Sequence, residues 1–292
     1  MWPLIADAIA RGTGRPFRLR DRQGVGGGCI NAAYRIEGED GRAYFVKLND
    51  AAHVHMFEAE AQGLQEIART RTVRVPEPVC WGTAQGSAYL ALEHIELSGD
   101  GRGMKALGTQ LAGMHRVTVP RFGWRMDNTI GSTPQINALS DHWPGFWREQ
   151  RLGFQLRLAA HHGYGGGLQR KGEALMEKLD ALFGAYRPAP SLLHGDLWGG
   201  NCACDAHGRP VIFDPAVYYG DREADLAMTE LFGGFGADFY AAYREAYPLD
   251  PGYGVRRTLY NLYHVLNHLN LFGGGYRAQA ERMMDVLLGE LG

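Results

Sequence analysis

The sequence predicts an α+β protein in two lobes. An antiparallel sheet with one helix spans residues 1–95. A mainly helical lobe, carrying a small β-hairpin, spans residues 96–292. Three observations predict this. Between Phe17 and Glu93 apolar residues alternate with polar ones in short runs, the period of strands. From Leu107 onward the spacing becomes three and four residues, as in Leu107, Leu111 and Met114. One apolar run, Val211-Ile-Phe-Asp214, stands alone among the helical stretches and is joined to Cys202-Ala-Cys204 by a turn at residues 205–210.

The elements follow in order. Residues 17–25 read as a strand that runs into a glycine cluster, Gly24, Gly26, Gly27 and Gly28. Tyr34 and Ile36 alternate with polar neighbours, residues 37–42 form a turn, and residues 43–48 return, which is a hairpin signal. Residues 51–68 are helical, with Phe57, Ala61, Leu64 and Ile67 on one face. Val75, Pro76 and Pro78 break that pattern, and residues 79–81 and 89–93 are two more strands. Helices are expected over residues 107–114, 146–160, 172–183, 225–231, 257–271 and 278–288, with a glycine-rich loop at 163–167.

Composition bounds the function. The 292 residues suit about two domains of roughly 150 each. Apolar residues make up 45%, enough for a sizeable core, and the net charge of 30 − 32 = −2 argues against a nucleic-acid partner. No run of about 18 apolar residues suggests a membrane span, and the first ten residues lack a basic leader, so a cytoplasmic location is expected. Four cysteines are too few for a disulfide scaffold. Cys202, Cys204 and His207 offer only three ligands at a spacing that matches no common zinc pattern, so they read as strand residues and a turn.

The chemistry concentrates in Leu192-Leu-His-Gly-Asp-Leu-Trp-Gly-Gly-Asn201. Asp196 and Asn201 have the D-x-x-x-x-N spacing of phosphotransfer loops, and Asp214 ends the apolar strand thirteen residues later. Upstream, Lys47 ends a strand that follows the glycine cluster, and Glu60 sits on the next helix, one turn before Leu64. Glu58 would point about 200° away around that helix. In phosphoryl transfer the protein mainly positions groups and neutralises charge. Asn201 and Asp214 offer hard oxygens for Mg²⁺. Asp196 can take the acceptor's hydroxyl proton. Lys47 supplies a point charge for ATP phosphates, and glycine backbone at Gly26, Gly27 and Gly28 can approach them closely. Separately these features are ordinary turns, caps and surface charges; their order is what carries the reading. His194 reads as a loop-holding side chain, and His115 as a packed one. His264 and His268, at i and i+4, could hold zinc, but Val265 stands where a metalloprotease needs Glu. Asn267 and His268 can instead hydrogen-bond substrate hydroxyls.

With its motifs Gly26-Gly-Gly-Cys-Ile-Asn31, Val46-Lys47, Phe57-Glu-Ala-Glu60, Leu92-Glu-His94, Asn128-Thr-Ile-Gly-Ser132, His194-Gly-Asp-Leu-Trp-Gly-Gly-Asn201, Ile212-Phe-Asp-Pro215 and Leu266-Asn-His268, the sequence resembles the fructosamine kinase (ketosamine 3-kinase) family over nearly its whole length. That family lies within the aminoglycoside and choline phosphotransferases, of protein-kinase-like fold. The resemblance implies ATP-dependent phosphorylation of the sugar 3-hydroxyl of fructosamines or ribulosamines, a deglycation step, with ATP and Mg²⁺ between the lobes. It implies Asp196 as base, Asn201 and Asp214 as metal ligands, and Lys47 with Glu60 as the phosphate-holding pair. It also implies the backbone at Glu93, His94 and Ile95 as the adenine hinge, and Trp198 and His268 in the substrate pocket. A kinase of another small hydroxyl acceptor, such as an amino alcohol or aminoglycoside, is the alternative, followed by a nucleotide-binding pseudokinase. A monomer is expected. Cys29 has two readings, an oxidisable thiol able to disturb phosphate binding or link a dimer, and an inert small residue.

Overall fold

The computed structural model describes residues 1–26, 30–98 and 103–292. Gly27, Gly28 and Cys29 therefore lie outside the described residues, and the readings attached to them stand as sequence expectations. The chain divides into two units. One comprises Met1–Gly103 with Cys202–Pro215, the other Met104–Asn201 with Ala216–Gly292. The hairpin that the sequence reading placed with the carboxy-terminal lobe thus groups with the amino-terminal unit.

The amino-terminal unit is built on a five-stranded antiparallel sheet: β1 (Leu19–Val25), β2 (Ala32–Gly38), β3 (Ala43–Asp50), β4 (Pro78–Ala84) and β5 (Ser87–Glu93), in the order β1-β2-β3-β5-β4. Two helices accompany it, α1 (Trp2–Thr13) and α2 (Val54–Thr70), where the sequence predicted one. The additional helix, α1, has Pro3 in its first turn and left-handed Gly14 as its cap. Its Ile5 and Ile9, one turn apart, are fully buried with Phe17, Ile36, Val46 and Leu48. Those paired isoleucines and the flanking Pro and Gly were the available signal. Close approach requires Gly12, where a Cβ would stand 2.6 Å from the Val79 carbonyl oxygen on β4.

Strand alternation then sets the chemistry of β3. Val46 and Leu48 belong to the core on the α1 side, so Lys47 faces the other way. Helix α2 buries Phe57, Ala61, Leu64 and Ile67, as its spacing predicted. A second small sheet, in the order Pro210–Ile212, Cys202–Asp205, Leu97–Ser98, completes this unit. Ile212 N–H donates to the Arg74 carbonyl oxygen (3.0 Å) just beyond α2, which anchors the hairpin to the body of the unit.

The carboxy-terminal unit is helical with two short hairpin-like sheets, Ser191–Leu193 with Tyr218–Gly220 and Asn128–Ile130 with Thr133–Gln135. Met104–His115 packs on Ala237–Ala246, a helix the periodicity did not predict; a Cβ on Gly108 would stand 2.3 Å from the Phe239 carbonyl oxygen. The predicted helix over 146–160 is three segments: Trp143–Phe146, a π-helical Trp147–Gly153 and Phe154–His161. The π segment coincides with Arg151, which is buried among the rings of Phe146, Tyr218 and Tyr263 and donates to the Ile136 carbonyl (2.6 Å) and to Asn137 Oδ1 (2.8 Å). The predicted helix 172–183 begins earlier, as Gly167–Lys178 with a 3₁₀ extension Leu179–Leu182. The central helix, Tyr253–Phe272, buries Leu259, Tyr260, Tyr263, Leu266 and Asn267. Among the described residues no helix is long and apolar enough to cross a membrane.

His264 on this helix is 4% exposed, and burial, aided by nearby His268, holds its imidazole down at about 3. The folded protein therefore keeps it neutral while the unfolded chain protonates it near its ordinary 6.5. The stability this contributes is present above about pH 6.5 and is lost as pH falls toward 3, by about 1.4 kcal/mol per pH unit. Denaturant unfolding at pH 7, 6 and 5 should show a steeper loss for the wild type than for His264→Gln. Identical slopes would show that this group does not couple to unfolding.

Candidate active site

In the amino-terminal unit, Lys47 lies midway along β3, paired with Ala33 on β2 and Leu90 on β5. Its Nζ donates to Glu60 Oε1 (2.6 Å) on α2 and to Asp214 Oδ1 (2.7 Å) after the hairpin. Lys47 is 5% exposed, whereas the Asp214 side chain is 47% exposed. Burial alone would depress the lysine, but the carboxylates of Asp214 and Glu60 outweigh it and raise its pKa. Burial pushes the Glu60 carboxyl up, against the pull of Lys47, and the Asp214 charge adds to the rise. Glu58, as its helical phase predicted, is exposed instead. Asp214 adopts φ 57°, the left-handed region that Asp tolerates better than most residues, directly before Pro215.

Glu93 ends β5. Its main-chain N–H donates to the Glu77 carbonyl (2.8 Å), and its side chain pairs with Arg74. His94 and Ile95 follow outside the strand. Gly26 is exposed at the end of β1, where a Cβ would meet nothing within 4 Å. Burial and neighbouring Cys204 push the Cys202 thiol up to about 11, away from the thiolate a metal would need. Among the described residues no three His, Cys, Asp or Glu side chains converge as a metal cluster.

In the carboxy-terminal unit, residues 194–201 form a tight loop after the strand Ser191–Leu193. Asn201 Nδ2 donates to the Asp196 carbonyl oxygen (2.9 Å) and to Asp196 Oδ2 (3.1 Å), so the five-residue spacing closes a ring around the carboxylate. These bonds use the Asn201 amide nitrogen and leave its Oδ1 unused, while in the amino-terminal unit the Lys47 pair uses Asp214 Oδ1. The loop hangs on Asp225, which the sequence reading did not single out. Its Oδ2 accepts from His194 N–H (2.7 Å), its Oδ1 from Gly195 N–H (2.8 Å), and His115 Nε2 lies 3.1 Å from Oδ2. Burial would raise this carboxyl, but His115 and the Gly195 N–H hold it below the ordinary range. His194 positions the loop from within: its Nδ1 accepts from Asp196 N–H (3.2 Å) and its carbonyl from Ala216 N–H (2.8 Å). Gly195 is irreplaceable there, because φ is 83° and a Cβ would stand 2.1 Å from the Ala216 carbonyl oxygen.

Trp198 is 38% exposed and meets Phe232 edge to face, with centroids 6.2 Å apart. Phe232 lies 4.9 Å from His268, which also touches Phe272 (5.4 Å) and Tyr276 (5.2 Å). The Trp198 ring passes over Gly200, where a Cβ would come within 2.3 Å of it, so glycine at 200 is a packing requirement, whereas a Cβ at Gly199 would meet nothing within 4 Å. His268 Nδ1 bonds the His264 carbonyl (2.8 Å), and burial lowers its pKa, leaving a neutral ring with Nε2 as acceptor. Asn267, expected from the sequence to face substrate hydroxyls, is 2% exposed, accepts from Gln155 (3.2 Å) and donates to the Ile130 carbonyl (3.3 Å), so it fastens the helix to the Asn128–Ile130 strand. The Asn128 and Gln135 side chains in turn hold the Val217 (2.8 Å) and Ala216 (3.1 Å) carbonyls.

The family model described as fructosamine kinase matches residues 1–290. The chain belongs to the fructosamine kinase family. The kinase is 50% identical to a probable ketoamine kinase of Synechocystis sp. over 98% of its own length and 97% of that protein's. It is 45% identical to the chloroplastic protein-ribulosamine 3-kinase of Arabidopsis thaliana, over 94% and 85%. A candidate fructosamine-3-kinase structure from Haemophilus somnus aligns at TM-score 0.90 and 28% identity, over 99% and 98% of the two chains. The protein-kinase-like fold recurs in an aminoglycoside phosphotransferase, at TM-score 0.59 and 15% identity over 98% of each chain. The kinase is accordingly an ATP-dependent phosphotransferase.

Two substitutions test the positioning groups. Asp225→Asn turns an amide N–H toward backbone donors, so kcat should fall about 100-fold, the loss of one or two charge-assisted bonds, while the KM for ATP stays within about threefold. Glu60→Gln frees Lys47 from one partner; the KM for ATP should rise about tenfold with a smaller change in kcat. Steady-state kinetics on both nucleotide and acceptor would reveal either pattern, and a reversed split would remove the assigned role.

Proposed function

We propose that this kinase transfers the γ-phosphoryl group of ATP to the 3-hydroxyl of a ketosamine, a ribulosamine or fructosamine. The observation that carries the acceptor class is the aromatic platform of Trp198, Phe232 and His268, which begins two residues after Asp196. Aromatic faces suit the C–H surface of a sugar, and the neutral His268 Nε2 can accept from one of its hydroxyls.

Each residue then has a role. Asp196, held by Asn201 Nδ2, takes the acceptor's hydroxyl proton as the oxygen attacks the γ-phosphorus. The bond between that phosphorus and the β–γ bridging oxygen breaks, and ADP leaves. Lys47 neutralises α- and β-phosphate oxygens, steadied by Glu60. Asn201 Oδ1 and Asp214 are the groups that would hold Mg²⁺, which supplies charge neutralisation at the phosphates when bound. The glycine run through Gly26 and the main chain of residues 93–95 are assigned to phosphates and adenine, as the sequence resemblance implies.

ADP release should be measured with a ribulosamine, a fructosamine, an erythrulosamine, choline and kanamycin, with phosphorus NMR locating the phosphate. Turnover on ketosamines at the 3-hydroxyl is expected. Turnover on choline or kanamycin alone would replace this reading with its alternative. Asp196→Ala should abolish turnover while nucleotide binding survives, and near-normal turnover would remove Asp196 from its role.

A further inference from the structure

Two arginines of the carboxy-terminal unit are at most 2% exposed, and their surroundings differ. Arg256 is paired with the Glu223 and Asp250 carboxylates. Arg151 forms no ion pair among the described residues, and its Nε is enclosed without a hydrogen-bond partner. Its other contacts are neutral: the Ile136 and Gln150 carbonyls, Asn137 Oδ1 and the faces of three rings. A cation held in low dielectric without a counter-ion is costly, and neutral acceptors offset only part of that cost. An apolar side chain of similar length would remove the penalty, so stability does not account for an arginine here. The residue also stands in the π-helical turn Trp147–Gly153, a distortion frequent at functional sites.

What Arg151 contributes is direction, because a guanidinium only donates. Its Nη2 donates to Asn137 Oδ1 (2.8 Å), which turns the Asn137 amide nitrogen toward Asn128 Oδ1 (2.9 Å). That oxygen also accepts from Gln135 Nε2 (2.8 Å), so the Asn128 amide nitrogen is turned to the Val217 carbonyl (2.8 Å). Gln135 is set in the same sense: its Oε1 accepts from Tyr263 OH (2.8 Å), and its Nε2 reaches the Ala216 carbonyl (3.1 Å). Donors of this carboxamide relay thus meet two consecutive main-chain oxygens. The Ala216 oxygen covers Gly195, and the Ala216 N–H donates to the His194 carbonyl (2.8 Å). By a second route, the Arg151 guanidinium lies over the Tyr218 ring at 4.2 Å, and Tyr218 pairs with Leu193 on the strand that runs into the loop. Both routes from Arg151 end on residues 193–195, directly before Asp196.

We infer that Arg151 is a positioning residue for phosphoryl transfer: its donors set the sense of the Asn137, Asn128 and Gln135 carboxamides, which hold the Ala216–Val217 main chain against the loop that carries Asp196. This rests on Asp196 as the base. Asn137→Asp tests the direction without changing shape, because a carboxylate still accepts from Arg151 but cannot donate onward to Asn128. Its kcat should fall about 30-fold, within the scale of a reacting group displaced by about an ångström, while the KM for ATP stays within about threefold. Arg151→Met should lose at least as much, and Arg151→Lys, which keeps the charge and can reach one acceptor, should bring kcat back to within about fivefold of wild type. If Arg151→Met does not fold, Asn137→Asp decides, since it keeps the contact with Arg151. An unchanged kcat in Asn137→Asp overturns the inference, and so does a fall in kcat matched by an equal rise in the KM for ATP, the mark of general loosening. Arg151→Lys no better than a folded Arg151→Met overturns the assignment to its donors. Near-normal turnover in Asp196→Ala overturns the underlying reading, whereas an inactive Asp196→Ala beside a fully active Asn137→Asp overturns this inference alone.

Discussion

Asp225, a carboxylate 1% exposed, accepts two consecutive backbone N–H groups, those of His194 and Gly195, while His115 flanks it from another helix. Removing such a group from water is costly, and only charge-assisted bonds from every side offset that cost. The geometry of the loop follows from it. With residues 194 and 195 fixed, Gly195 must take φ 83° under the Ala216 carbonyl, the Asp196 N–H reaches back to His194 Nδ1, and Asn201 closes on Asp196. The partly exposed Asp196 carboxylate, the base on the proposed reading, is thus held by a chain of bonds that begins at a carboxylate buried beyond the reach of solvent.

The amino-terminal unit solves a different electrostatic problem. Lys47 holds one positive charge against the carboxylates of Glu60 and Asp214, so the triad carries one excess negative charge. That excess is hostile to a bare polyanion. On the proposed reading, a divalent cation shared by Asp214 offsets it and frees part of the lysine's attraction for phosphate. The left-handed backbone at Asp214, fixed on one side by Pro215, aims the carboxylate for that exchange.

Much of this was legible in sequence, and the reasons differ by residue. Asp196 with Asn201, and Lys47 with Glu60 and Asp214, stand out by their order and short spacings, and each set is bonded within itself; their part in phosphotransfer belongs to the proposed reading. Helix α2 was equally plain, since its apolar stripe repeats over four turns. Asp225 was not, because a buried tie makes sense only once a strand 30 residues upstream has been brought beside it. The inward bonds of Asn267 were hidden for a related reason: it is next to His268 in sequence, yet a helix turns successive residues about 100° apart, and this one is buried. The helix at residues 2–13 was hidden by its brevity, two isoleucines being a thin stripe.

On the proposed reading, the neutrality of His268 bears on the charge of the acceptor. A ketosamine carries a secondary amine, protonated near neutral pH, and an imidazolium at this position would repel it. By burying the ring enough to keep it uncharged, the fold leaves Trp198, Phe232, Phe272 and Tyr276 as π surfaces that attract an ammonium without binding it through a carboxylate. Such a site grips a cation loosely, as suits a product that must leave with its amine still charged.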